Sequence, residues 1–138
     1  MPNKKILIVD DDPDVRLGLH VRLKANHYDT FFAGDAISSM VEARLHEPDL
    51  IILDLGLPAG DGFVVMERLK KIPNLAVIPV IVVSARDVRA NKERAIEFGA
   101  KAFLQKPAND AELLAVIRRV LGEPSQSERP VVYDLGTI

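Results

Sequence analysis

Cysteine is absent from the 138 residues, which excludes disulfides and thiolate metal ligands and fits a reducing compartment. Long apolar runs are absent too: no stretch approaches the ~20 residues that a membrane-spanning helix needs. The opening MPNKKILIVD has a four-residue apolar run before its first carboxylate, too short for the core of a signal peptide. The cytoplasm is therefore the expected location, with no membrane partner. Positive charge is not in excess. A formal net charge of −2 argues against a domain that grips nucleic acid through its overall field. No segment repeats as in a solenoid, and neither a Gly-x-Gly-x-x-Gly nor a Walker-type loop occurs.

What is present is an ordinary globular composition, 48% hydrophobic and 28% charged, in a chain long enough to bury one core. Short apolar runs alternate with longer amphipathic stretches. Strands are expected at Lys5–Val9, Tyr28–Ala33, Leu50–Asp54, Val80–Ser84 and Ala102–Gln105. ILIV, LIIL and VIVV are apolar at every position, the pattern of inner parallel strands covered on both faces. Helices are expected near Pro13–Asn26, Asp35–Glu47, Gly62–Ile72, Val88–Phe98 and Asp110–Val120. Asp12 suits the cap of the first and Pro13 its first turn, while Gly99 and Gly122 sit where helices should stop. Five such units predict a doubly wound α/β domain with a parallel sheet and five flanking helices. Residues 1–121 form this domain. From Gly122 the chain changes: GEPSQSERP reads as a linker, and VVYDLGTI is apolar and strand-like. Residues 122–138 are therefore expected to be a linker or tail that meets a neighbour's sheet edge or opens a further module.

In an open parallel sheet the ligand crevice lies at the carboxyl ends of the strands. The first strand here ends in Asp10, Asp11 and Asp12, the third in Asp54, the fourth in Ser84, and the fifth leads into Lys106-Pro107. Singly, each has a plainer reading: Asp12 as a cap, Asp10 and Asp11 as solvated loop acids, Ser84 and Lys106 as ordinary strand-end and surface groups. Their conjunction on one rim is what points to chemistry. Clustered carboxylates repel unless a cation sits among them, and an oxygen-only set without His or Cys suits Mg²⁺. A carboxylate beside such an ion can serve as a nucleophile and become an aspartyl phosphate. The metal, the Lys106 ammonium and the Ser84 hydroxyl would then each cover one phosphoryl oxygen.

ILIVDDDPDVR, PDLIILDLGLPAGDG, PVIVVSA and GAKAFLQKP, in this order and spacing, resemble the receiver domains of bacterial two-component response regulators, over residues 4 to 121. The resemblance implies a flavodoxin-like fold with strand order 2-1-3-4-5. It implies that Asp54 takes a phosphoryl group from a histidine kinase or phosphotransfer protein. Asp10, Asp11 and Asp54, with the backbone carbonyl of Gly56, would hold Mg²⁺. Ser84 matches the hydroxyl switch position, Lys106 the phosphate-binding lysine before a cis peptide at Pro107, and Phe103 the aromatic switch position, for which plain core packing is the simpler reading. The kinase would dock near Val15, Gly18 and Pro107. The family's role is to bias a two-state output, as a phosphoacceptor rather than a turnover enzyme.

Some positions depart from the family pattern. Leu57 stands where Met is common. Gly56 offers no side chain to cover the phosphoryl group, whereas Arg86 is long and cationic, and these two are expected to set its lifetime. A homodimer through the fourth-helix to fifth-helix face is the weaker partner expectation. Lys101, Ala108 and Val116 replace the acid, Phe and Arg usual in dimerising winged-helix regulators, and only Glu112 matches. A stand-alone relay or interaction module, without direct nucleic-acid binding, is the alternative. A haloacid-dehalogenase-type phosphatase would need a second Asp where Gly56 stands. A flavodoxin-like cofactor site would be repelled by three aspartates. His20, His27 and His46 are scattered and form no metal set, and Arg86, Arg89, Lys92 and Arg94 read first as a solvated face.

Overall fold

The computed structural model describes residues 2–58 and 61–124. Strands β1 (Lys4–Val9), β2 (Tyr28–Ala33), β3 (Leu50–Leu53), β4 (Val80–Ser84) and β5 (Ala100–Gln105) form one parallel sheet in the order β2-β1-β3-β4-β5. The helices are α1 (Pro13–Ala25), α2 (Ala36–His46), α3 (Gly62–Lys70), α4 (Pro73–Ala76), α5 (Val88–Glu97) and α6 (Asp110–Val120). Side chains alternate across each strand. Leu7, Val9, Ile51, Leu53 and Val82 therefore pack against α2, α3 and α5, while Ile6, Ile8, Leu50, Ile52, Ile81 and Val83 pack against α1 and α6. Every residue of β3 and β4 is buried. Each fully buried aliphatic side chain stabilises by about 1.5–3 kcal/mol, so the ends of these central strands are a firm platform.

Asp12 accepts from the Asp14 amide and Pro13 opens α1, as the sequence pattern predicts. Gly99 and Gly122 follow α5 and α6 with φ of 102° and 72°. Helices α1 and α2 reach the left-handed region without glycine, at His27 and Glu47 (φ 69° and 44°). The five-helix expectation is corrected to six among the described residues. Pro73 presets the first turn of α4, the Leu75 and Ala76 amides bond to the Ile72 carbonyl, and Leu75 is fully buried. The sequence pattern assigns no element to residues 73–79, PNLAVIP. Strand β5 begins two residues earlier than expected, at Ala100, beside an irregularity in its register with β4 at Val80 and Ile81. The expected linker begins tied to the fold: the Glu123 amide bonds to the Arg118 carbonyl, and the Tyr28 hydroxyl donates to Glu123 Oε1 at 2.6 Å. The rest of that segment, 125–138, lies outside the described residues.

Candidate functional site

Asp10 and Asp54 each stand one residue past a central strand, yet their backbones still belong to the sheet. The Asp10 amide donates to Ala33 O at 3.0 Å, and the Asp54 amide to Val9 O at 2.9 Å. Their side chains are thus delivered by rigid backbone, and the two residues are only 3% and 8% exposed. Asp11 next door is exposed. One carboxylate oxygen from each of the three lies within 4.8 Å of the others. Lys106 reaches into this group from the end of β5, its Nζ 2.6 Å from Asp10 Oδ2 and 3.1 Å from Asp54 Oδ2. It is anchored by its own amide, which donates to Ser84 O at 2.8 Å, and by the cis Lys106–Pro107 peptide. The second oxygens are also engaged: Asp10 Oδ1 accepts from the Asp12 amide at 2.9 Å and Asp54 Oδ1 from the Gly56 amide at 3.1 Å.

Burial alone would push the Lys106 ammonium towards its neutral form, but the hydrogen bond and charge of Asp10, then those of Asp54, prevail and raise its pKa above the ordinary lysine range. Lys106 stays charged. Three carboxylates against one ammonium leave the cluster short of positive charge. An all-oxygen donor set this close suits a hard divalent cation, so the residues present fit Mg²⁺. A Cβ at position 56 would sit 3.8 and 3.9 Å from the two Asp54 carboxylate oxygens. Residue 56 thus lies beside the Asp54 carboxylate, and glycine leaves that side open.

Ser84 is buried, and its Oγ accepts from the Arg86 amide at 3.2 Å. The Arg86 guanidinium crosses to Asp61, with Nη1 3.3 Å from Oδ2, while Asp61 Oδ1 caps α3 through the Phe63 amide. Asp61 had no place in the sequence-level site; its signal was an Asp-Gly pair opening a helix. Arg16 was missed as well: its Nη1 donates to the Asp10 carbonyl at 2.9 Å. Phe103 is 8% exposed and packs in the core with Val82 and Phe63.

Val15 and Gly18 of α1 and Pro107 after β5 line one groove of ≈ 440 Å³ that also contains Lys106. Arg22 and Asp110, both on its lining, form an ion pair. The basic group near α5 divides. Arg94 lies over the Phe63 ring at 3.9 Å and Arg86 is paired with Asp61, while Arg89 and Lys92 line a surface groove along α5. The histidines do not join the rim: His20 Nδ1 sits 2.5 Å from Thr30 Oγ1, and His46 stacks on Phe31.

The family model described as the response regulator receiver domain matches residues 6–118. Response regulator PleD of Caulobacter vibrioides is 39% identical over 115 residues, 83% of this chain and 25% of that protein. The transcriptional regulatory protein KdpE of Staphylococcus aureus is 36% identical over 137 residues, 97% of this chain and 57% of that protein. The chain therefore spans about a quarter to just over half the length of these relatives. Among solved structures, the receiver domain of sensor histidine kinase PA1611 from Pseudomonas aeruginosa PAO1 superposes with a TM-score of 0.80 at 26% identity, over 88% of this chain and 99% of that one. That structure holds a magnesium ion in its active site cleft.

Proposed function

Since the chain belongs to the response regulator receiver family, we propose that Asp54 accepts a phosphoryl group from the phosphohistidine of a histidine kinase or phosphotransfer protein. The observation that carries this reading is the single ammonium of Lys106 bound to both Asp10 and Asp54, with Asp11 within reach. A carboxylate oxygen of Asp54 attacks phosphorus, the phosphorus–nitrogen bond of the donor breaks, and the imidazole leaves with that electron pair. Lys106 is already 3.1 Å from Asp54 Oδ2 and stays with the new phosphoryl oxygens without crossing the site. Asp10, Asp11 and Asp54, with the Gly56 carbonyl, would hold Mg²⁺, which would offset phosphoryl charge when bound. Ser84 exchanges its contact with the Arg86 amide for one with the phosphoryl group, and Phe103 repacks in response. Val15, Gly18 and Pro107 seat the donor.

Residues 1–121 act as the receiver and residues 122–138 as a linker or tail, with the cytoplasm as location. A transcriptional output is favoured by the similarity to KdpE, which continues past residue 118 into the tail. Lys101, Ala108 and Val116 speak against the usual dimer face for such an output, and a stand-alone relay is the remaining reading.

Acetyl phosphate with Mg²⁺ should add the mass of one phosphoryl group to the wild type and none to Asp54→Asn. Equal incorporation in both would overturn the assignment. Arg86 and Gly56 flank the acceptor, and we expect them to set its lifetime. Arg86→Ala should change the decay rate by up to about fivefold, the equivalent of the ~1 kcal/mol that a partly exposed ion pair contributes. Gly56→Asn should change it too, and phosphate release timed in both variants is the check; two unaltered lifetimes would remove them from the mechanism.

A further inference from the structure

Helix α2 turns an apolar stripe towards solvent. Ala36, Ser39 and Ala43 are its buried residues. Ile37, Val41 and Leu45, spaced four apart on the other side of the helix, are 73%, 57% and 69% exposed. A surface helix ordinarily carries polar groups on that side. Single exposed aliphatics need no explanation, but a contiguous stripe does.

Ile37 and Val41, with Met40 beside them, line a groove of ≈ 450 Å³, and Ile72 lines it from the end of α3. The charged residues along it are Arg44 from α2 and Arg68 and Lys71 from α3 and its cap; no acid lines it. Lys71 is offset by Glu67 at 3.7 Å on exposed surface. Among the described residues, no ion pair engages Arg44 or Arg68.

We propose that this groove binds an acidic amphipathic helix of a partner protein. The aliphatic lining takes the partner's apolar stripe, and Arg44 and Arg68, with Lys71 beside them, take its acidic flanks, the helix-in-groove mode of recognition. Charge complementarity decides among occupants. A second copy related by a two-fold axis would set Arg44, Arg68 and Lys71 against their own counterparts. Nucleic acid offers no match for the aliphatic stripe. A lipid surface would favour a convex apolar face, whereas these aliphatics line a concavity. Binding here does not depend on phosphorylation of Asp54.

The probe is a synthetic helix of about 16 residues, ~24 Å long, with leucines four apart along one stripe, glutamates flanking them, and alanine and glutamine elsewhere. Added to the labelled 138-residue chain, it should move the amide resonances of Ile37, Val41, Arg44 and Arg68. A lysine-for-glutamate version should not, and added salt should weaken binding. Ile37→Glu with Val41→Glu should weaken binding at least about tenfold with an unchanged melting temperature, since both positions are exposed. Asp54→Asn should bind as the wild type does. Shifts confined to α1, α5 or α6, or equal binding of the lysine peptide, would overturn the proposal. So would self-association, or sedimentation with anionic phosphatidylglycerol vesicles, that the double variant abolishes.

Discussion

Lys106→Met is expected to lower stability by about 2 kcal/mol in the presence of a chelator and by clearly less in excess Mg²⁺. The substitution keeps length and apolar stem but removes the ammonium from between two carboxylates that the fold buries. Removing one partner from a fully buried ion pair costs about 3–5 kcal/mol. The Lys106 side chain keeps 21% exposure, and its own desolvation is relieved, so the cost falls below that range, to about 2 kcal/mol. Mg²⁺ brings positive charge to the same oxygens and should replace part of what the ammonium supplied. Urea unfolding of both proteins, with EDTA and with Mg²⁺, is the measurement; a deficit of equal size in both conditions would mean that the metal and the ammonium do not share these carboxylates. The pH dependence has a definite sign. Because the folded-state pKa of Lys106 is raised, its contribution is complete below the ordinary lysine value and is lost only as pH rises through the raised one. The difference between the two proteins should thus stay level on going from neutral pH towards that range and shrink above it. Under the proposed function the variant should also lose the conformational response to beryllofluoride, since no ammonium then links Asp10 to a phosphoryl analogue on Asp54.

Gly62→Ala should destabilise the fold by about 3 kcal/mol, a fall in melting temperature of roughly 10 °C, and slow phosphorylation in step. A Cβ at this position would lie 2.7 Å from the Asp54 carbonyl oxygen and 2.9 Å from Leu55 Cα. Both are backbone atoms, so no side-chain rotation relieves the clash. The approach is built in: the Gly62 amide donates to Leu55 O at 3.0 Å, and Asp61 caps the helix that starts here. Alanine is the better helix former by about 1 kcal/mol, which opposes the clash without overcoming it. Gly18→Ala is the internal control. It lies within α1 with nothing within 4 Å of a new Cβ, so there the propensity term acts alone and should raise stability by up to about 1 kcal/mol. A Gly62→Ala protein as stable as the wild type would show that the loop after β3 yields, and that Asp54 is less firmly positioned than its hydrogen bonds imply.

Much of the site could be read from strand ends. Asp10, Asp54, Ser84 and Lys106 were each marked by an apolar run stopping at a polar group, and parallel strands carry all such stops to one rim. Arg86 was singled out by its place two residues after Ser84, but its partner Asp61 was not. The two are 25 residues apart, and nothing in either local segment points to the other. The same holds for Arg16 and the Asp10 carbonyl. Helix α4 was hidden for a different reason: at four residues it is shorter than any periodicity can register.

Local patterns were enough to establish that this chain makes five parallel strands and which carboxylates would share an edge, because burial on both sheet faces demands uninterrupted apolar segments. Which oxygen Lys106 binds, how closely α3 approaches Asp54, and that Ile37 and Val41 border a basic groove are set by contacts between distant segments. Those depend on how helices settle against the sheet, a balance of packing between elements that no single window of residues contains.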